Sequence, residues 1–160
     1  NLVLPKMRYI NEGRIVYISS VLGFVAMPFR GPYVASKFAI EGLVGTLRLE
    51  LSDTNIKFSS IQPGPIESKF RQNAYLAFQQ NVDISSSHYK NQYKLMIKRL
   101  QSGKNAKFTL PPEAVLKSVI HALESSNPKN YYRVTFPTKL FSILGKIFPS
   151  KWMDYILNQS

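Results

Sequence analysis

Apolar positions along the chain change period several times, and the changes mark its elements. Arg14 to Ser19 reads R-I-V-Y-I-S, a short and mostly apolar β-branched run preceded by Asn11-Glu12-Gly13. That pattern predicts a strand of a parallel sheet, buried on both faces. After a loop holding Gly23, Pro28 and Gly31, the stretch Tyr33 to Ser52 carries Ala35, Phe38, Ala39, Leu43, Leu47 and Leu51 at helical spacing, which predicts a long helix with these residues as its apolar face. Asp53-Thr54-Asn55 closes it. Ile56 to Gln62 alternates enough to be a second strand, stopped at Pro63-Gly64-Pro65. Strand, helix, strand in this order implies a right-handed crossover in a parallel sheet.

The middle of the chain, Lys69 to Gln101, is weakly patterned, with a Ser85-Ser86-Ser87 break before a helix bearing Tyr89, Tyr93, Met96, Ile97 and Leu100. Thr109-Leu110-Pro111-Pro112-Glu113 reads as a helix start, a hydroxyl near the cap and prolines in the first turn, with the helix running to about Ser125. Tyr131 to Thr135 predicts a third strand. Beyond Pro137 lie two short amphipathic helices, one with Leu140, Phe141, Leu144, Ile147 and Phe148, the other with Trp152, Met153, Ile156 and Leu157. The expected fold class is α/β, part of a doubly wound parallel sheet with three readable strands.

Composition narrows the chemistry. The chain has 160 residues, 44% hydrophobic and 19% charged, the composition of a globular protein. No apolar run reaches the ~20 residues of a membrane span and no signal-peptide pattern opens the chain, so the expected location is soluble and cytoplasmic. Cysteine is absent, and the two histidines, His88 and His121, stand in unrelated contexts, so no metal site is expected. The net charge is +12 and lopsided: the first 70 residues hold eight Lys/Arg against five Asp/Glu, the rest thirteen against four. Such a basic half could attract phosphates, nucleic acid or an anionic membrane. With no long basic run, zinc spacing or RNA-binding aromatic signature, no nucleic-acid partner is expected. Peripheral membrane contact through the C-terminal amphipathic helices stays open, beside their use as a lid over an apolar pocket.

Tyr33 and Lys37 stand four apart at the start of a helix and so share a face. An ammonium beside a phenol favours the phenolate and allows proton exchange nearer neutral pH. By chance alone, nine Tyr and fourteen Lys in this length give roughly 0.8 such pairs, so the pair means little without its surroundings. Those surroundings are informative. Ser19-Ser20 ends the first strand at the carboxyl edge where parallel sheets bind ligands, and P-G-P-I-E-S, Pro63 to Ser68, leaves the second strand at the same edge.

The run G-R-I-V-Y-I-S-S-V-L-G-F-V-A-M-P-F-R-G-P-Y-V-A-S-K-F-A-I-E-G-L, Gly13 to Leu43, closely resembles the catalytic core of the short-chain dehydrogenase/reductase family, and its Pro-Phe and Phe-Ala-x-Glu-Gly-Leu are similar to the hydroxysteroid and retinol dehydrogenase branch. The strong resemblance covers residues 1–70. It implies a Rossmann-like fold and an NAD(P)-dependent oxidoreductase that interconverts an alcohol and a carbonyl. Ser20 would orient the substrate oxygen, Tyr33 would act as general acid/base, and Lys37 would ease ionisation of the tyrosine and hold the nicotinamide ribose. Pro63, Gly64, Ile66 and Ser68 would form the loop against the nicotinamide, Ser68 standing where the family usually has threonine. The cofactor is NAD or NADP.

The family's Gly-rich phosphate loop, its Asn-Asn-Ala-Gly motif and its helix-borne asparagine are absent from this sequence. Asn1 to Arg8 resembles the end of the helix that enters the serine strand. The chain therefore reads as one partial domain, 1–160, with a catalytic core over 1–70 and a substrate lid, last strand and C-terminal helices over 71–160. A truncated product, a split-gene partner and an incompletely recorded chain remain alternatives, as does a non-catalytic remnant or interaction module. In that family the segments after Ser68 form the substrate lid, so the resemblance, with Phe70, Tyr75, Leu76, Phe78, Tyr89, Tyr93 and Met96 standing there, implies a bulky lipophilic alcohol or ketone. The expected association is a homo-oligomer through the Tyr33–Ser52 helix, or pairing with a missing N-terminal half across the open edge of the serine strand.

Overall fold

The structure, a computed structural model, describes residues 2–102 and 106–158; Asn1, with which the expected entering helix opens, lies outside the described residues. In chain order the elements are α1 (Leu4–Ile10), β1 (Gly13–Ile18), α2 (Gly31–Glu50), β2 (Ile56–Gln62), α3 (Phe70–Asn81), α4 (Lys90–Gln101), α5 (Glu113–Glu124), β3 (Tyr131–Arg133), α6 (Phe136–Ile147) and α7 (Ser150–Asn158). The expected α/β class holds. The three strands form one parallel sheet of order β1-β2-β3. β1 and β2 pair from Gly13 with Ile56 to Ile18 with Ile61, and β3 joins the far side of β2, Ser60 opposite Tyr131.

β2 is the central strand, and all of it except Lys57 is buried. Its two faces feed two apolar clusters. On one side Val44 and Leu51 pack with Ile56 and Phe58, joined by Leu4 and Met7 of α1, Ile15 and Tyr17 of β1, and Ile40 and Leu47 of α2. On the other, Ile61 packs with Ala122 and Tyr132, joined by Val16, Val115, Val119 and Val134. A parallel sheet covered by helices on both faces is the arrangement such crossovers impose. β2 also buries Ser59, Ser60 and Gln62, and each serine hydroxyl has a partner: Ser59 Oγ donates to Lys129 O at 2.9 Å and Ser60 Oγ to Glu41 Oε1 at 2.7 Å.

Several boundaries differ from expectation. The long helix begins at Gly31, since Pro32 fits a first turn that has no use for its missing N–H, and it ends at Glu50 rather than Ser52. Its sheet-facing residues are Ile40, Val44, Leu47 and Leu51, whereas Ala35, Phe38, Ala39 and Leu43 face outward. A helix apolar on two faces leaves the choice to tertiary packing. The weakly patterned middle contains a full helix, α3, with no fully buried residue and only Ala74, Tyr75 and Phe78 as a half-buried apolar side. β3 stops at Arg133, and Thr135 instead precedes α6, whose first turn accepts Pro137. The serine break is organised by Asp83. Its carboxylate accepts from Ser85 N–H at 2.9 Å, Ser85 Oγ at 2.6 Å and Ser86 Oγ at 3.0 Å, bonds that hold it below the usual carboxylate range.

The accessible surface is 11068 Å², against ~8,100 Å² expected for a compact monomer of this mass. β1 has a free edge, and Ile18 at its end is 50% exposed. Ile61, at 0% exposure in the centre of the sheet, tests the core. In chemical denaturation of the full-length protein, Ile61→Ala is expected to cost about 2–5 kcal/mol and Ile61→Val about 0.5–1.5 kcal/mol; equal stability of the two variants would contradict the packing described.

Candidate active site

Three chain segments meet at the carboxyl edge of the sheet. The first continues β1. Ser19 N–H extends the ladder to Ile61 O at 2.8 Å, and Ser20, extended at φ −164° and ψ 164°, starts the 3₁₀ turn Val21–Gly23 by accepting Leu22 N–H on its hydroxyl at 3.1 Å. Ser20 therefore caps its own loop. A hydroxyl that accepts one bond still has its O–H to donate, so this use is compatible with contact to a ligand oxygen.

The second segment leaves β2. Val21 N–H donates to Pro63 O at 2.8 Å and clasps the serine loop to the Pro-Gly loop. Gly64 lies so close to the buried pair Thr135 and Thr138, whose hydroxyls are 2.9 Å apart, that a Cβ there would collide with both threonine oxygens. Ile66 bridges to Leu110: Glu67 N–H donates to Leu110 O at 3.0 Å and Leu110 N–H to Pro65 O at 3.1 Å. Ser68 is exposed and accepts Phe70 N–H at 3.3 Å in the turn that leads into α3.

The third segment is the start of α2, where Tyr33, Lys37 and Glu41 occupy one face on successive turns. Lys37 Nζ donates to Ile18 O at 3.0 Å and lies 5.7 Å from the centre of the Tyr33 ring. Glu41 accepts the buried Ser60 hydroxyl. Gly23 allows this approach: a Cβ there would meet Ser19 Oγ at 2.7 Å, Glu41 Cγ at 2.9 Å and Lys37 O at 3.1 Å. The Tyr33 ring rests on Phe70 with centroids 5.3 Å apart. Arg30, just before α2, is exposed as a residue, yet its guanidinium end is crowded and held below its ordinary range, by desolvation first and then by repulsion from Arg99 and Arg71, with Tyr33 opposing. Two buried polar atoms at this edge, Ser19 Oγ and Gln62 Oε1, have no hydrogen-bond partner among the described residues.

The structure thus gathers Ser20, Tyr33 and Lys37 with Pro63 and Gly64, and sets Ile66 and Ser68 further out along the loop. Residue reading passed over Gly23, Glu41, Ser60 and the Thr135–Thr138 pair. Glu41 had a signal, one turn beyond Lys37 on the same face. The others had none, because their roles depend on contacts between segments distant in sequence. His121 is engaged away from this edge, its Nδ1 2.8 Å from Tyr132 Oη.

Residues 1–77 match the short chain dehydrogenase family. An uncharacterized oxidoreductase of Escherichia coli K12, YbbO, is 41% identical over 155 residues, 97% of this chain and 52% of its own length. The chain belongs to the short-chain dehydrogenase family. Human retinol dehydrogenase 8 is 32% identical over 133 residues, 79% of this chain and 41% of its own length. The crystal structure of a short chain dehydrogenase/reductase from Burkholderia phymatum in complex with NAD superposes with a TM-score of 0.64 at 21% identity, covering 91% of this chain and 53% of that one, and shows the same fold. The chain spans about half the length of the curated relatives it matches.

Gly23 and Gly145 provide a contrast for the family member's site. Gly23→Ala should destabilise the full-length protein by about 1–3 kcal/mol, because the strand end and helix must separate. Gly145→Ala, in α6 with nothing within 4 Å of the added methyl, should stabilise it by about 0.5–1 kcal/mol. Thermal unfolding of both variants measures the difference.

Proposed function

We propose that this chain carries the catalytic residues of an NAD- or NADP-dependent oxidoreductase that interconverts an alcohol and a carbonyl. The observation that carries the reading is the Lys37 ammonium, fixed to Ile18 O beside the Tyr33 ring, at an edge where the Ser20 loop and the Pro63–Gly64 loop are clasped. Ser20 donates its free O–H to the substrate oxygen. Tyr33 gives a proton to that oxygen when a carbonyl is reduced and takes it back when an alcohol is oxidised. Lys37 spends one N–H on Ile18 O and has two left for the vicinal hydroxyls of a ribose.

The nicotinamide supplies hydride chemistry when bound. The residues fit such a group: Pro63, Gly64, Ile66 and Ser68 form the loop that would lie against it, and the two unpartnered buried oxygens of Ser19 and Gln62 stand at the root of that loop. The Glu41–Ser60 bond keeps the helix at a fixed height over the sheet and so keeps Tyr33 and Lys37 in register.

The substrate class is a bulky lipophilic alcohol or ketone. Support comes from the aromatic side chains Phe29, Tyr33, Phe70, Phe78, Tyr89 and Tyr93, which meet one another edge-on or tilted beside the site, and from the similarity to retinol dehydrogenase 8. Association runs through the outer face of α2, where Phe38 and Leu49 are exposed and Gly42 and Gly45 between them have open space above, or across the free edge of β1. Among the described residues no helix is long and apolar enough to cross a membrane. The ridge of Ile143, Ile147, Trp152 and Tyr155 on α6 and α7, exposed beside Lys146 and Lys151, would serve peripheral membrane contact.

The full-length protein tests this. Tyr33→Phe should lower turnover by ~10²-fold or more while cofactor affinity survives; near-wild-type turnover would end the assignment. Lys37→Ala should lower both turnover and cofactor affinity in fluorescence titration with NADH and NADPH. A substrate panel should favour bulky apolar ketones, and preference for small polar sugars would contradict the substrate class.

A further inference from the structure

Helices α3 and α4 contain no buried residue, yet they lie over the face that carries Tyr33. Their roots are held by the backbone bonds between residues 65–67 and Leu110. Away from the roots, aromatic rings make several of the contacts. Tyr89 and Tyr93 meet the Phe29 ring edge-on at 5.4 and 5.6 Å, with interplanar angles of 72° and 67°. Phe78 of α3 meets Tyr93 at 5.2 Å and links the two helices behind that contact. Phe29 belongs to the loop between Ser20 and Tyr33, and its φ is 59°, the left-handed region that a bulky residue adopts rarely and at a cost. A phenylalanine placed where glycine would be easier is explained if its ring contacts outweigh that cost.

We infer that Phe29 is a positioning residue, the anchor on which the α3–α4 hairpin docks against the Ser20–Tyr33 loop, and that through this docking it fixes the wall met by the bulky part of the substrate. The docking follows from the ring geometry alone; the effect on substrate rests on the proposed oxidoreductase function. A hairpin without buried residues belongs to the low-stability end of a structure, where a few contacts decide its opening equilibrium. Each edge-to-face pair changes such an equilibrium by a few-fold to about tenfold, so losing two at once is measurable. Neither Tyr33 nor Lys37 touches Phe29 in these contacts, so the anchor governs substrate fit and leaves proton transfer intact.

Amide hydrogen exchange on the full-length protein tests the docking without requiring turnover. Phe29→Gly removes the ring and relieves the positive-φ cost, Phe29→Ala removes the ring and keeps the cost, and Phe29→Tyr keeps the ring. Amides of 90–101 should exchange at least about fivefold faster in Phe29→Gly and Phe29→Ala, near the wild-type rate in Phe29→Tyr, with those of β2 unchanged in all three. Wild-type exchange over 90–101 in Phe29→Gly overturns the inference, and so does faster exchange in β2 together with α4, which would mean general destabilisation. In steady-state kinetics Phe29→Gly should raise KM for a bulky apolar ketone by about tenfold, with kcat within about twofold and KM for a small ketone unmoved; an equal rise for both ketones overturns the substrate half. If the wild type shows no NAD(P)-dependent turnover while the exchange result stands, the proposed function fails and the anchor remains. If turnover is present and exchange is flat, the anchor alone fails.

Discussion

Helix α2 lies close enough to the β1–β2 pair for Lys37 Nζ to reach the carbonyl of Ile18 at 3.0 Å, and much of the candidate site depends on that closeness. β1 ends at Ile18, so the bond reads the position of the sheet edge and transmits it to the first turns of the helix. Three features make the approach feasible. Gly23 leaves room for Ser19, Glu41 and the helix backbone at Lys37. Val44, fully buried, packs with Leu51, Ile56 and Phe58 further along the helix. The Ser60 hydroxyl, inside the sheet, donates to the half-buried Glu41 carboxylate and so finds its own partner. Tyr33, one turn before Lys37 on the same face, is thereby held at the same sheet edge, its ring 5.7 Å from Lys37 Nζ.

What the sequence made legible divides along physical lines. Strand β2 was visible through the partial alternation of Ile56 to Gln62 and the Pro63-Gly64-Pro65 stop, as were the apolar run of β1 and the crossover between them. Ser20, Tyr33, Lys37 and the Pro63–Ser68 loop were legible because their residue types and spacing resemble a known family's motif. The buried face of α2 was not, since Phe38 and Leu43 are as apolar as Ile40 and Val44, and only the sheet selects between them. α3 was missed because its inward side, Ala74, Tyr75 and Phe78, is short and only half-buried, and Leu76 and Ala77 on the exposed side blur the 3.6-residue period. Gly64 was read as a turn residue, whereas its additional constraint is the Thr135–Thr138 pair some seventy positions later, beyond the reach of local pattern.

The polar interior follows a similar logic. Ser19, Ser20, Ser59, Ser60 and Gln62 are all buried where a purely structural sheet would carry Val or Ile. Ser59 and Ser60 are satisfied by Lys129 O and Glu41, and Ser20 by its own loop. Ser19 Oγ and Gln62 Oε1, one residue beyond the paired ends of β1 and β2, are the pair without a partner there among the described residues. The sheet's buried serine hydroxyls are thus satisfied, whereas Ser19 Oγ and Gln62 Oε1 at the carboxyl edge, like Arg14 Nη1 in β1 and Arg133 Nε in β3, have no partner among the described residues. Buried groups without partners are costly, and they persist in native structures where a ligand, water or reaction uses them.

Stability is distributed unevenly around that edge. β2 is almost wholly buried and its flanking clusters hold α2 and α5, whereas α3 and α4 bury no residue fully, and ring contacts are among those that join them to the rest. The rigid part therefore holds the groups that must keep fixed distances, the lysine, the tyrosine and the clasped loops. The loosely held part carries the apolar groups that only need to enclose. The hairpin can open at small cost without disturbing the Lys37–Ile18 bond, because the two are built on different segments that meet at the Tyr33–Phe70 and Phe29 ring contacts. Moving those contacts into the buried core would exchange mobility for rigidity.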